Sequence, residues 1–243
     1  MSAASDKYEK EIADTINDIQ GIKAKRPPGD TGLSDVLIEK FNNKTTNVWL
    51  EVKMNHTDNL SNPRVFYDKG EWKTTYKTPA AKAAVDILNS SPQANKFIEN
   101  ISKFSGIPKK VIKIPTSKGG LKEEGAVPLH IMKQYFDQPG INRYIANQEN
   151  YDLGKLVTEH YTIGKKQPAH YMQAGDDFYM ISKTNPLRLH KDIPVLEGIG
   201  DFKVRVSTRS EFYEVQAEIK ITKMPVSKYS IKPGTKKKNP FLL

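Results

Sequence analysis

Asp35, Glu51 and Lys53 are the residues in this chain whose types and spacing could do chemistry. They interrupt two otherwise apolar, β-branched runs, Ser34–Lys40 and Thr46–Lys53, with the polar Asn42-Asn43-Lys44 between them. Such runs around a turn-prone break read as the strands of a hairpin. Successive strand side chains point to opposite faces, so Glu51 and Lys53 share one face and Val52 takes the other. With the hairpin centred on Asn43, Asp35 lies directly opposite Glu51, at a Cβ separation of about 5 Å. Two carboxylates that close repel unless a cation sits between them, and oxygen donors suit Mg²⁺. The Lys53 ammonium, one pleat along, can orient an attacking water or stabilise negative charge growing on a phosphate. A hairpin with ordinary solvated charges is the competing reading of the same residues.

Asp35 and Glu51-Val52-Lys53, set on apolar strands, resemble the active-site hairpin of the PD-(D/E)XK nuclease superfamily, over a stretch from about residue 5 to about residue 90. The family's name-giving proline is missing: Ser34 precedes Asp35. Asp30, after Pro27-Pro28-Gly29, is the substitute for Asp35, but it falls in a turn-like run outside the strand. The resemblance implies an α/β (α+β) fold of restriction-endonuclease type, a mixed central sheet flanked by helices. It implies a Mg²⁺-dependent DNA endonuclease, with Mn²⁺ as a working substitute, that hydrolyses phosphodiester bonds. Asp35 and Glu51 would hold the metal with the carbonyl of Val52, and Lys53 would position or activate the water. Family members often carry an acidic residue on the first helix that reaches the metal; by that likeness Glu9 joins the catalytic candidates, with Glu11 behind it. A homodimer is a further implication, since two strands need two cuts.

The charge balance points the same way. The chain has 38 basic and 28 acidic residues, a net +10, and a basic excess favours a polyanionic partner, DNA first. Residues 103–122 hold six lysines and no acid, and so do residues 223–243. Clustered charge is a better phosphate-binding signal than an average. The expected DNA contacts are Lys109, Lys110 and Lys113 of the first tract and Lys236, Lys237 and Lys238 of the second. Lys203 and Arg205 join them from one face of an alternating strand. The alternatives to a DNA endonuclease are a DNA-binding protein without catalysis (a replication, packaging or architectural factor) and an RNA-directed nuclease.

Around the hairpin, residues 6–20 read as an amphipathic helix with Tyr8, Ile12, Ile16 and Ile19 on one stripe. A second hairpin is expected around Asp68-Lys69-Gly70, its aromatics packing on the first and Lys73 a candidate to face the metal. Thr78-Pro79 opens a helix whose close-packing face is Ala80, Ala81, Ala84, Val85, Ile87 and Leu88, and another follows from Gln93. Residues 128–149 read as helical, 151–162 as a short helix, and the final third as mainly strand, with a hairpin around Gly175-Asp176-Asp177. This divides the chain into a nuclease core over 1–105, a basic loop or linker over 106–127, a helical then β-rich region over 128–230, and a basic tail over 231–243.

Other chemistries find little support. There is no cysteine, which removes disulfides, zinc–thiolate sites and thiol nucleophiles. The five histidines, at 56, 130, 160, 170 and 190, stand well apart. No GxSxG elbow is present. Paired carboxylates also serve glycosidases, but the lysine beside Glu51 and the basic excess fit phosphate substrates better. No apolar run approaches the roughly 20 residues of a membrane span, and the N-terminus has no basic start before an apolar core. The expected location is the cytoplasm of a bacterial or phage-infected cell, with no membrane partner.

Overall fold

The computed structural model describes residues 3–27, 33–56, 58–164, 166–181 and 183–242. Asp30 lies outside the described residues. In chain order the elements are α1 (Ala3–Asn17), β1 (Lys23–Lys25), β2 (Val36–Phe41), β3 (Lys44–Lys53), β4 (Arg64–Asp68), β5 (Glu71–Lys73), α2 (Pro79–Ser90), α3 (Pro92–Ser105), α4 (Leu129–Phe136), β6 (Tyr144–Asp152), α5 (Gly154–Thr162), β7 (Ala169–Ala174), β8 (Asp177–Met180), β9 (Ile199–Thr208) and β10 (Tyr213–Lys223). The protein is mixed α and β, with two five-stranded sheets. Among the described residues no helix is long and apolar enough to cross a membrane.

The chain forms two compact units, one from residues 1–58, 152–199 and 221–243, the other from 59–151 and 200–220. The expected boundaries near 105 and 127 are therefore not where the chain divides. The reason is pairing between distant strands. In the first unit the sheet order is β1-β2-β3-β7-β8. β1, β2 and β3 run antiparallel, β7 lies parallel to β3, and β8 returns antiparallel to β7. A parallel neighbour needs a long crossover, and here the crossover contains the whole first stretch of the second unit before α5 brings the chain back.

Local chemistry explains the parts of the first unit. Tyr8, Ile12, Ala13 and Ile16 make the buried stripe of α1. The Asn17 side chain fastens the helix end to β1 by bonding both the carbonyl and the N–H of Ala24, at 2.9 and 2.7 Å. Asn42 and Asn43 have φ of +50° and +60°, the left-handed pair a two-residue hairpin turn needs. Ile12, Ile16, Val36, Ile38 and Leu50 are completely buried in one cluster. Each such side chain contributes about 1.5–3 kcal/mol relative to exposure.

Residues 231–243 are no free tail. Tyr229, Ile231 and Phe241 belong to the same core. The Ile231 N–H donates to Oε1 of buried Gln173 at 2.9 Å, and the Phe241 ring packs edge-on against Phe41 and Phe178. The lysines of this tract sit on a segment held at both ends by apolar anchors.

The second unit is built on the order β5-β4-β10-β9-β6. The Asp68-Lys69-Gly70 turn forms as expected, with φ of +53° and +88° at Lys69 and Gly70. Its aromatics do not serve the first hairpin: Tyr67 and Trp72 stack edge-to-face at 5.3 Å within this sheet. Thr78 caps α2, and Ser91 ends α2 and caps α3, each followed by a proline at the first helical position. The helix expected over 128–149 stops at Phe136. Pro139 and Gly140 (φ +79°) break it, and Tyr144–Asp152 becomes a strand with Ile145 and Ala146 buried. The polar run Asn147–Asn150 lacks the apolar spacing that would extend a helix. The alternation of β9 is as read: Phe202, Val204 and Val206 are buried, Lys203 and Arg205 turn outward.

Candidate active site

The site lies wholly in the first unit, at the C-terminal end of β3. β2 and β3 pair Val36 with Leu50, Leu37 with Trp49 and Ile38 with Val48. One more step places Asp35 opposite Glu51, the arrangement expected from the sequence. The route to it differs from the expectation. Next to the turn the pairs are Phe41 with Lys44 and Lys40 with Thr45, one residue out of step with the far end. The turn is Asn42-Asn43 alone, and Lys44 already belongs to β3. A bulge reconciles the registers: on β2 only Glu39 lies between the two sets of pairs, on β3 both Thr46 and Asn47. The Thr46 hydroxyl closes it by donating to the Ile38 carbonyl. A one-residue slip flips every side chain to the other face, so if the register next to the turn ran on without a bulge Asp35 would stand opposite Leu50.

β3 is the middle strand of the sheet, and Val48 through Val52 are all buried. Glu51 is only 2% exposed. Lys53 donates from Nζ to Glu51 Oε1 at 2.6 Å. Burial works against the Lys53 charge, but the fields of Glu51, Tyr161 and Asp35 outweigh it and hold its pKa well above the ordinary lysine value. Asp35 accepts the Val52 N–H on Oδ2 at 2.8 Å. Burial, then the charge of Glu51, push its pKa up to about 7; Lys53 and the Val52 N–H pull the other way, and Glu9 adds a smaller upward push. Glu9 on α1 is buried, and its Oε2 accepts from Arg26 Nε at 2.6 Å; Arg26 also reaches Asp6 through Nη2 at 2.7 Å. Glu11 is instead half exposed and pairs with Lys7. Ser34, where the resembled family has proline, is buried.

Two members of the constellation were not foreseen. Tyr161 of α5 is fully buried, with Lys53 Nζ 6.0 Å from its ring centroid. Nothing local could have paired it with residues so far back in the chain. Arg26 had a signal, a cation just after the first helix and its Glu9. Asp6, Glu9, Asp35 and Glu51 thus face Arg26 and Lys53, four carboxylates against two cations. Asp35 and Glu51 offer the oxygen donors that suit a hard divalent cation, which needs one or two protein carboxylates and completes its shell with water and phosphate. Asp35 and Glu51 would hold it, beside the Val52 backbone.

A second cluster lies at the tip of the β7–β8 hairpin. His56 Nε2 is 2.7 Å from Asp177 Oδ2, and among the described residues His56, Asp176 and Asp177 form a group whose ligand atoms all lie within 4.8 Å. Lys237 already puts a cation there, with Nζ 2.6 Å from Asp177 Oδ1 and 3.5 Å from Asp176 Oδ2. The sequence placed Asp176 and Asp177 in a turn but gave no hint that His56 or Lys237 meets them.

Much of the charge expected to meet DNA is engaged within the chain. Lys109 pairs with Glu99 at 3.1 Å, Lys113 with Glu123 at 2.9 Å, Lys203 with Asp201 at 3.3 Å and Arg205 with Glu218 at 2.5 Å. Lys110, Lys236 and Lys238 are exposed. Lys109, Lys110, Lys113, Lys203 and Arg205 belong to the second unit, Lys236–Lys238 to the first. Lys73, the expected further candidate, belongs to the second unit and pairs there with Glu71. In comparisons with family models, curated proteins and solved structures, nothing matches this chain.

Proposed function

We propose that the protein is a Mg²⁺-dependent deoxyribonuclease, an endonuclease that hydrolyses phosphodiester bonds at Asp35, Glu51 and Lys53. One observation carries the reading. The β2–β3 register sets a buried carboxylate, Glu51, opposite a half-buried one, Asp35, with a lysine on the face of Glu51, at the end of the central strand. The setting supports it: the sheet is antiparallel from β1 to β3, parallel from β3 to β7, and packed by α1 and α5, a mixed sheet flanked by helices.

When bound, the metal would polarise the scissile phosphate and lower the pKa of the attacking water. Asp35 and Glu51 supply its ligands, and the Val52 N–H holds Asp35 in place for that task. Lys53 stays protonated beside Glu51, so it orients the water and stabilises charge on the phosphate rather than taking a proton. Water attacks phosphorus in line and gives up a proton to solvent, the P–O3′ bond breaks, and the 3′ oxygen takes a proton from solvent. Glu9, held by Arg26, borders the carboxylates and can order water at the outer edge of the metal shell. Exposed Lys110, Lys236 and Lys238 hold phosphates, a homodimer would cut both strands, and the site of action is the cytoplasm.

A second reading, a DNA-binding protein that does not cut, is favoured by the closed Lys53–Glu51 pair, which satisfies itself without a metal. The experiment that separates them is cleavage of supercoiled, linear and single-stranded DNA, and of RNA, with Mg²⁺, Mn²⁺ or chelator, with Lys53→Ala beside the wild type. Metal-dependent cutting that falls by about 100-fold or more in Lys53→Ala, with DNA affinity kept, is the expected result. Binding without cutting on every substrate, the host's genomic DNA included, would reject the nuclease reading.

A further inference from the structure

We infer that Tyr161 is a positioning residue for Lys53: its hydroxyl and ring face hold the ammonium in place when Glu51 turns to a metal. This rests on the proposed nuclease reading and names a residue of the same site.

The argument begins with the surroundings of Lys53. Lys53 is half-buried in the first unit, with Glu51 Oε1 at 2.6 Å from its ammonium and the Tyr161 ring centroid at 6.0 Å. The phenol oxygen feels that ammonium as well: against the burial that raises the Tyr161 pKa, Lys53 pulls it down. A buried ammonium needs its N–H groups satisfied and its charge countered. In the metal-free arrangement the Glu51 carboxylate does most of this. A carboxylate that ligates a divalent cation lends much of its negative charge to that cation, and its hold on Lys53 weakens. The side chain has four rotatable bonds and would drift. An aromatic face and a phenol oxygen keep their attraction for a cation, since neither is a metal ligand here.

Tyr161 is well built for that task. It is completely buried, and burial first of all keeps the hydroxyl protonated. Its backbone belongs to α5, which packs on β7, the parallel neighbour of β3. Lys53 pairs with Ala174 of β7 in that ladder, so helix and lysine are fixed to the same pair of strands. The ring faces the ammonium at 6.0 Å. Removing the hydroxyl deletes its oxygen's attraction for the charge while leaving the ring in place.

The test is Tyr161→Phe, which keeps the ring and its packing, run beside wild type and Lys53→Ala. Single-turnover cleavage should fall by about tenfold, the rate equivalent of one hydrogen bond to a charged group. The DNA concentration and Mn²⁺ concentration giving half-maximal rate should not change, nor the thermal midpoint. A second reading needs no activity: in metal-free protein carrying ¹⁵N-lysine, the Lys53 Nζ resonance should broaden or shift in Tyr161→Phe, and should not in Tyr213→Phe, a control tyrosine buried in the second unit. Wild-type cutting rates in Tyr161→Phe, or a loss confined to DNA affinity or thermal midpoint, would overturn the inference and leave the nuclease reading standing. A wild type that never cuts overturns both.

Discussion

Asp35→Asn should make the metal-free protein more stable at alkaline pH while ending metal-dependent cleavage. The Asp35 carboxyl has a pKa of about 7 in the folded chain, against 3.8 for the free group, first through burial and then through the charge of Glu51. An unfolded chain loses that proton near pH 4, but the folded one keeps it to near pH 7. Across this window the folded state binds more protons than the unfolded, so stability falls as pH rises. A tenfold change in proton affinity is worth about 1.4 kcal/mol, so the rise from 3.8 to about 7 sets a ceiling of about 4 kcal/mol at pH 8. Asparagine cannot ionise and still offers an oxygen to the Val52 N–H. The substitution should therefore gain up to about 4 kcal/mol at pH 8 and little at pH 4. Two units invite two unfolding transitions, and the tryptophans separate them: Trp49 lies in β3 of the first, Trp72 in β5 of the second. In a Trp72→Phe background, urea unfolding followed by Trp49 fluorescence, with chelator, reads the unit that holds the site. Adding Mg²⁺ should reverse the order, because a ligand that binds only the folded wild type stabilises it by mass action. An Asp35→Asn protein less stable than wild type at pH 8 without metal, or a difference that is flat between about pH 4.5 and 8, would refute the reasoning.

Glu51→Gln should do the opposite, since it strips Lys53 of the charge at 2.6 Å; removing one partner of a buried pair costs about 3–5 kcal/mol, measurable by the same urea titration at neutral pH. Deleting Asn47 should close the bulge by pairing Glu39 with Thr46 while Ile38 stays opposite Val48 and Asp35 opposite Glu51; metal-dependent cleavage should survive the deletion, and a folded deletion variant that no longer cuts would refute the assignment of the site to this register.

The contrast between Asp35 and Glu51 marks what kind of site this is. Both are acids and they stand opposite each other, yet Glu51 is buried and bonded directly by Lys53, while Asp35 is half-buried, accepts the Val52 N–H and feels Lys53 through its field alone. A hairpin selected for stability alone would not keep the second acid. On the proposed reading, a divalent cation would supply the counter-charge that Asp35 lacks in the metal-free chain, where burial and Glu51 push its pKa up. Stability and function pull against each other at one carboxyl, a common condition of sites built to bind charge.

Sequence made this hairpin legible because its information is local: alternating apolar residues, an Asn-Asn turn, and acids at positions fixed by period two. The bulge was illegible, since Thr46-Asn47 carries no Gly or other mark of an extra residue. Two errors cancelled, a turn taken one residue too long and a bulge not seen, and the opposition of Asp35 and Glu51 survived. Long-range features had no such luck. β7 read as one arm of a hairpin, which it is, but its parallel pairing with β3 depends on a crossover that propensity does not encode. The same gap hid Tyr161 and the partners of Lys237, each brought in by elements far along the chain from what they touch. The lysine tract after residue 223 misled for a related reason. Charge dominates its composition, while the three residues that fix its path, Tyr229, Ile231 and Phe241, lie too far apart to show a period. A few well-placed apolar anchors are enough to fold a basic segment onto a core, so charge density alone does not mark where a chain leaves its domain.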